Sequence, residues 1–185
     1  MARRWRRIVV IVVVLLVAGA GALVLTGRGP VQDDRNAVDD AWVPLRPALN
    51  ERYDALGVVD QELRAAGGAD RDVTAAMTAE LEQWNQVAEG PDPDADSEEE
   101  VEIANTLEGL STRVLATVNA SERLRSSEPL TASLAAFANT VPDSALVKAY
   151  NDAVRTYDDT RTSPIRQPAA KVFGFDPRTS LVLAD

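Results

Sequence analysis

Three aspartates at alternate positions, Asp92, Asp94 and Asp96, are the residues of this chain whose type and spacing best suit a metal ion. Alternating Asp oxygens open the calcium-binding loop, which also needs Gly at its sixth position and a bidentate Glu at its twelfth. This chain has Ser97 and Ile103 at those two positions. The pattern therefore lacks both the turn residue and the chelating acid, and we assign no metal ligand.

The start of a helix accounts for the same stretch of sequence. Ser97 and Glu100 have the spacing of a capping box, in which each side chain satisfies a backbone N–H of the first turn. Glu98 and Glu99 would lie near the positive end of the helix dipole. The alternative is an acidic loop, Asp92–Glu100, that binds a divalent ion or a small cationic ligand.

The composition removes the commonest catalytic chemistries. The chain has no His and no Cys, which excludes histidine-based triads, cysteine nucleophiles, the usual zinc ligands and disulfides. Carboxylates are plentiful, but no pair of them is singled out by its setting. We therefore predict that the protein is not an enzyme, with no catalytic residue and no cofactor.

Acidic charge dominates the chain after its first 28 residues. Five of the 19 basic residues lie within residues 1–28, which leaves 14 basic residues against 29 acidic residues, a net charge of −15. A surface of that sign repels the phosphates of nucleic acid. Nucleic acid is therefore not expected as a partner.

An apolar run without a charge extends from Ile8 to Thr26. As a helix it would be about 28 Å long, close to the hydrocarbon thickness of a bilayer. The arginine-rich flank of such a helix tends to stay in the cytoplasm. The sequence thus predicts a basic cytoplasmic N-terminus at 1–7, a transmembrane helix at 8–26 and the remaining residues outside the cell, with a cleaved signal peptide as the alternative. The arginines of this predicted membrane anchor are Arg3, Arg4, Arg6 and Arg7.

The remaining residues show the pattern of amphipathic helices. We expect a linker at 27–37 and a helical bundle at 38–163, because apolar residues recur at steps of three and four. Pro44 and Pro47 predict a break in the first helix, and Pro142 predicts either a kink or a break in the last. The predicted fold class is all-α, an N-terminal transmembrane helix followed by an antiparallel bundle of about four helices.

Aromatic residues follow the same helical spacing. No charged cluster accompanies them in the pattern, so the sequence predicts that they fill the core of the bundle. They are Trp42, Trp84, Phe137, Tyr150 and Tyr157.

Several blocks of the sequence resemble the LemA family. Residues 149–157, AYNDAVRTY, and 172–177, VFGFDP, are similar to the closing signature of that family, a YN-x-AV-x-x-Y helix that leads to a GF-x-P tail. Residues 39–42, DDAW, and 52–54, RYD, are similar to its first-helix pattern. The resemblance implies a membrane-anchored bundle of long antiparallel helices, and it does not imply an enzyme.

The C-terminal tail, residues 164–185, carries an apolar patch at Phe173 and Phe175. One interpretation is that both rings pack on the bundle and close its core. The other is that they form an exposed strip that binds a partner protein. The two residues are therefore the candidate partner surface.

These expectations combine into one function. We predict a single-pass, membrane-anchored, LemA-like helical bundle that acts as a non-enzymatic scaffold or protein-interaction module at the cell envelope. Its protein partner is not identified, and homo-oligomerisation is left open. The alternative is an envelope module that binds an ion or a small ligand through the Asp92–Glu100 loop.

Overall fold

The computed structural model describes residues 24–67, 71–88 and 97–184, and every regular element within them is a helix. The prediction of an all-α fold is confirmed for these residues. Residues 175–184, after the last helix, form no regular element. In chain order the helices are α1 (24–42), α2 (Leu45–Ala65), α3 (Arg71–Ala88), α4 (Ser97–Ala120), α5 (Glu122–Arg125), α6 (Glu128–Ala138), α7 (Ser144–Thr162) and α8 (Gln167–Phe173).

Prolines determine where several helices break. Pro44 separates α1 from α2, and Pro47 lies in the first turn of α2, where its missing N–H is not needed by the helix. Pro129 has the same role in the first turn of α6. Pro142 lies between α6 and α7, so the two predicted alternatives for this region resolve into two separate helices.

The linker expected at residues 27–37 is helical, as part of α1. The chain stays helical through Pro30 because of the residue before it. A residue that precedes proline is disfavoured in a helix, since its Cβ clashes with the proline ring. Gly29 has no Cβ, so this clash does not arise.

The predicted membrane localisation needs correction. Within the part of the chain that the structure describes, none of the helices combines the length and the apolar character that crossing a bilayer requires. Charges follow Thr26 closely in α1, at Arg28, Asp33 and Asp34, whereas a spanning helix needs about 20 predominantly apolar residues. The prediction of single-pass anchoring in the cell membrane, with the bundle outside, is wrong for these residues. Residues 1–23, which include most of the predicted span, lie outside the described residues.

The described residues form two compact units. Unit 1 consists of residues 24–38 and 153–178, and unit 2 consists of the described residues within 39–152 together with 179–184. The boundary between units falls within α7, after residue 152, and again after residue 178. The predicted division into a bundle at 38–163 and a tail at 164–185 therefore does not match the two units.

The core of unit 2 is built around α2, which packs against α3, α4 and α6, while α3 also packs against α4. Arg46 Nη2 donates to Val87 O at 3.2 Å and Arg64 Nη2 donates to Thr74 O at 3.1 Å, so α2 and α3 run antiparallel. In α2 and α4, the apolar positions that the helical period predicts to face inward are buried. They are Leu45, Leu49, Tyr53, Leu56, Val59, Leu63, Val101, Ala104, Leu107, Leu110, Val114 and Val118.

Aromatic rings pack against one another within this core. The ring centroids of Trp42 and Tyr150 are 5.2 Å apart, and Tyr53 meets Trp84 edge to face at 4.8 Å. Trp84 Nε1 also donates to Asn50 Oδ1 at 2.9 Å. Trp42, Trp84 and Tyr150 therefore fill the core, as the helical spacing predicted.

Candidate functional site

Of the residues predicted for the membrane anchor, Thr26 is the one that lies within the described residues. Thr26 is exposed in α1. The others lie outside the described residues: Arg3, Arg4, Arg6, Arg7 and Ile8.

Phe173 and Phe175, the predicted partner surface, differ in exposure. Phe175 is buried, and its N–H donates to Ala170 O at 2.9 Å. Phe173 keeps 36% of its surface exposed, although its ring centroid is only 6.4 Å from that of Phe175. Gly174 lies between them with φ 67°, a left-handed conformation that suits glycine and ends α8. One ring thus packs inward, and the other remains accessible to a partner.

Other exposed apolar side chains of unit 1 lie on the segments around Phe173. A Cβ added to Gly27 would lie 3.0 Å from Ala169 Cβ, so α1 and α8 are in close contact. Four large apolar side chains near this contact remain exposed, and we refer to them as the α8 surface. It consists of Leu25 at 70%, Ile165 at 69%, Val172 at 66% and Phe173 at 36% exposure.

Basic side chains border the α8 surface. Arg28 Cζ lies 4.9 Å from the centroid of the Phe173 ring. The Cα of Arg166 lies 3.6 Å from the position that a Cβ on Gly27 would take, so Arg166 is close to α1. Lys171 is exposed and directly precedes Val172 in the sequence. Basic residues thus lie on the same segments as these exposed apolar side chains, in a chain whose net charge is −10.

The acidic loop considered for ion binding is only partly described. Asp92, Asp94 and Asp96 lie outside the described residues. Glu100, at the other end, is buried, accepts a hydrogen bond from Trp42 Nε1 and forms an ion pair with Arg46. Its carboxylate is therefore occupied by helix-to-helix contacts and not by the predicted capping box.

A second buried carboxylate joins α2 to α4. Glu108 pairs with Arg52 through two parallel hydrogen bonds, Nε to Oε1 at 2.7 Å and Nη2 to Oε2 at 2.8 Å. Both side chains are 2% exposed. The backbone N–H of Ala184 also donates to Oε2, at 2.9 Å. A buried pair of this kind is stable only when its geometry is good and further hydrogen bonds satisfy it, and Glu108 meets both conditions.

Arg52 also lines a pocket in unit 2. The pocket has a volume of about 150 Å³ and lies between α2, α4, α6 and the segment that contains Ala184. Ser111 and Thr112 add hydroxyl groups to its wall, but both of these donate to Glu108 O, at 2.8 and 3.2 Å. The rest of the wall is apolar, with Leu115, Leu134, Phe137, Ala138, Val141 and Ala184.

The segment after α8 is held in unit 2 by side chains of α4 and α7. Tyr150 donates to Thr179 O at 2.9 Å, and Glu98 accepts the N–H of Thr179 at 3.0 Å. Asn151 and Asn105 continue these contacts toward the C-terminus. In unit 1, Tyr157 donates to Asp176 O at 2.7 Å.

Two tyrosines have displaced pKa values. Burial, followed by the charge of Glu108, raises the pKa of the Tyr53 hydroxyl far above its ordinary value. Burial also raises the pKa of Tyr157, against the opposing charges of nearby arginines. Both hydroxyls therefore stay neutral in the folded protein at neutral pH and act as hydrogen-bond donors.

Comparison with protein-family models, curated proteins and solved structures finds no match to this chain. The resemblance to the LemA family stays a prediction. The residues that carry it have clear structural roles here, because Tyr150, Asn151 and Tyr157 all bind the segment after α8.

Sequence reasoning missed the Arg52–Glu108 pair and the pocket beside it. Arg52 belongs to the RYD block at 52–54, which is similar to the first-helix pattern of the LemA family. That similarity was the one indication in the sequence that Arg52 has a specific role. Glu108 occupies an inward position of α4 among apolar residues, but many acidic residues of the chain occupy helices, and periodicity does not identify which one is paired.

Proposed function

We propose that this chain is a non-enzymatic protein-interaction module, in which a helical scaffold presents the α8 surface to an acidic segment of a partner protein. The scaffold in this proposal is an antiparallel bundle of about four helices. The antiparallel contacts of α2 with α3, Arg46 to Val87 and Arg64 to Thr74, support that architecture.

The observation that carries the proposal is the α8 surface itself. Single exposed apolar residues are normal on proteins, but a group of them with a polar border is typical of an interaction site. Leu25, Ile165, Val172 and Phe173 are exposed on two segments that contact each other at Gly27 and Ala169.

The sign of the border indicates the chemistry of the partner. Arg28, Arg166 and Lys171 flank the apolar side chains, whereas acidic residues dominate the chain as a whole. Electrostatic complementarity guides encounter and selects partners. The preferred partner is therefore a protein segment that combines acidic residues with apolar ones.

The buried carboxylates support a non-enzymatic role. An acid or base in catalysis needs a carboxylate that can reach a substrate. Glu100 is held by Trp42 and Arg46, and Glu108 is held by Arg52 and the Ala184 N–H. These groups stabilise contacts between helices.

Site-specific photocrosslinking in the host cell tests the proposal. A photoreactive phenylalanine analogue replaces Val172, and the control carries it at Val58, which is 49% exposed on α2. We expect position 172 to crosslink one protein through a segment rich in acidic and apolar residues, and position 58 not to do so. Equal crosslinking at both positions, products between copies of this chain alone, or a basic partner segment would contradict the proposal.

Charge reversal on the purified complex provides the second test. The double substitution Arg28→Glu and Lys171→Glu should weaken binding by about tenfold or more, since like charges then face each other. The matched control is Arg113→Glu with Arg125→Glu, two exposed positions of unit 2 with the same change in charge. Equal affinities for the two double variants would contradict the assigned surface.

A further inference from the structure

We propose that the pocket beside Arg52 binds a small neutral molecule that has an apolar body of about the size of benzene and one carbonyl oxygen. This inference goes beyond the proposed protein-interaction function. It rests on residues of unit 2, and none of them belongs to the α8 surface.

The size and the wall of the pocket define the apolar body. Its volume is about 150 Å³, and an apolar cavity of about 150 Å³ engineered into another protein takes up benzene. Leu134 and Phe137 contribute branched and aromatic surface from α6, and Leu115 contributes from α4. An apolar wall with a few polar groups is the usual form of a small-molecule site.

Arg52 supplies the polar group that would orient the ligand. A guanidinium has five N–H donors. Arg52 uses one on each nitrogen, with Nε and Nη2 bonded to Glu108 and Nη1 donating to Phe137 O at a long 3.4 Å. Two N–H groups therefore have no acceptor among the described residues, on a side chain that is 2% exposed. A ligand carbonyl at the pocket wall would accept from Arg52 and remove the cost of leaving a buried donor unpaired.

The Arg52–Glu108 ion pair also predicts the charge of the ligand. The Glu108 carboxylate already neutralises the Arg52 guanidinium, so the pocket has no net charge to balance an ion. Burying an ion without a partner costs more than the contact returns. Neutral carbonyl compounds are therefore favoured over both carboxylates and amines.

Entry to the pocket does not require the core to open. Leu115 and Val141 line it and are 44% and 55% exposed. Val141 belongs to the break between α6 and α7, where no helical hydrogen bonds have to be broken. The ligand therefore has a route in from solvent.

Three probe molecules of nearly the same shape separate the contributions of the apolar body, the carbonyl oxygen and the charge to binding. Acetophenone has the phenyl ring and the carbonyl oxygen, α-methylstyrene replaces that oxygen with a CH₂ group, and benzamidinium carries a positive charge. In a titration of the full chain followed by amide NMR shifts, acetophenone should bind about fivefold tighter than α-methylstyrene, from one added hydrogen bond. Benzamidinium should bind more weakly than either. The Ala184 and Ala138 amides should show the largest shifts.

A matched pair of variants locates the site. Ala138→Leu adds three carbons at the pocket wall, and the control Ala136→Leu makes the same change at an exposed position of α6 that does not line the pocket. Ala138→Leu should weaken acetophenone binding by about tenfold, as expected when a small apolar site is filled. The control should bind as the natural chain does. Circular dichroism checks that both variants fold, which is expected because both positions are exposed.

Several results would overturn the proposal. Acetophenone and α-methylstyrene binding equally would show that Arg52 does not recognise the oxygen. Equal binding to both variants, or no saturable shift with acetophenone at millimolar concentration, would show that the pocket is not the site.

Discussion

Asn151 binds the backbone of Leu181 through both polar atoms of its side-chain amide. Nδ2 donates to Leu181 O and Oδ1 accepts from Leu181 N, each at 2.9 Å. Asn105 binds the adjoining residues in the same way, accepting from Val182 N at 2.8 Å and donating to Ser180 O at 2.9 Å. The backbone groups of neighbouring residues in an extended chain face opposite sides. The two asparagines, one on α7 and one on α4, therefore hold this segment between them.

Replacing Asn151 with Asp should release this segment. The carboxylate keeps the shape of the amide but loses its donor, and it places a negative charge against the carbonyl of Leu181. We expect unfolding to become easier by about 2 kcal/mol, the cost of leaving polar groups poorly paired. Amide hydrogen exchange at Leu181 should accelerate by about tenfold.

The matched control for this prediction is Asn119→Asp, the same change at an exposed position of α4. It should leave the exchange rate at Leu181 unchanged. If both variants exchange at the rate of the natural chain, the amide contacts of Asn151 do not hold the segment.

Breaking the Arg52–Glu108 pair from one side should be severe. Glu108→Gln leaves the guanidinium of Arg52 buried without its counter-ion, which typically costs about 3–5 kcal/mol of unfolding free energy. The double variant Arg52→Met with Glu108→Gln removes both charges, so it should lose less stability than the single changes Arg52→Met and Glu108→Gln added together. Urea denaturation of the three variants gives the coupling free energy.

An exposed ion pair provides the contrast. The side chains of Lys148 and Asp152 are 75% and 41% exposed. Lys148→Met should therefore change stability by less than about 0.5 kcal/mol. A similar loss for Lys148→Met and Glu108→Gln would show that burial does not set the strength of the second pair.

Helical periodicity predicted most of the core but little of the candidate site. Steps of three and four state which face of a helix turns inward, and this sufficed for Leu49, Leu107 and Val154, which are all buried. Periodicity does not state which inward residues meet across helices. The contact between Arg52 and Glu108 joins positions 56 apart in sequence, and the pocket depends on how α4 and α6 pack. Neither is a local property of the chain.

The periodic pattern is wrong for Val141 because the chain breaks between α6 and α7. Leu130, Leu134, Phe137 and Val141 follow one another at steps of four, three and four, a pattern that predicts an inward position for Val141. However, α6 ends at Ala138 and α7 begins at Ser144, so Val141 is 55% exposed. Val141→Ser should therefore change the unfolding free energy by less than about 0.5 kcal/mol, as at ordinary surface positions. Val154→Ser, at a position that is 2% exposed, should cost about 2–3 kcal/mol. Thermal denaturation of the two variants measures both changes in stability. Equal losses of unfolding free energy would mean that Val141 is part of the core.

Tyr53 should make the protein less stable in alkali. Burial and the charge of Glu108 hold the pKa of its hydroxyl far above the unfolded value of about 10. Below that pH both states keep the proton, so the contribution of this group to stability is complete. Above it the unfolded chain releases the proton while the folded chain retains it, so stability falls by up to about 1.4 kcal/mol per pH unit.

The substitution Tyr53→Phe isolates this effect. At pH 7 it removes one long hydrogen bond, from the hydroxyl to Ala104 O at 3.3 Å, and should cost about 1 kcal/mol. Between pH 10 and 11 the variant should lose less stability than the natural chain, because it has no proton to release at this position. The measurement is the urea unfolding free energy at pH 8, 10 and 11. The two pH profiles would run parallel if the ionisation of Tyr53 played no part, since every other titrating group is the same in both proteins.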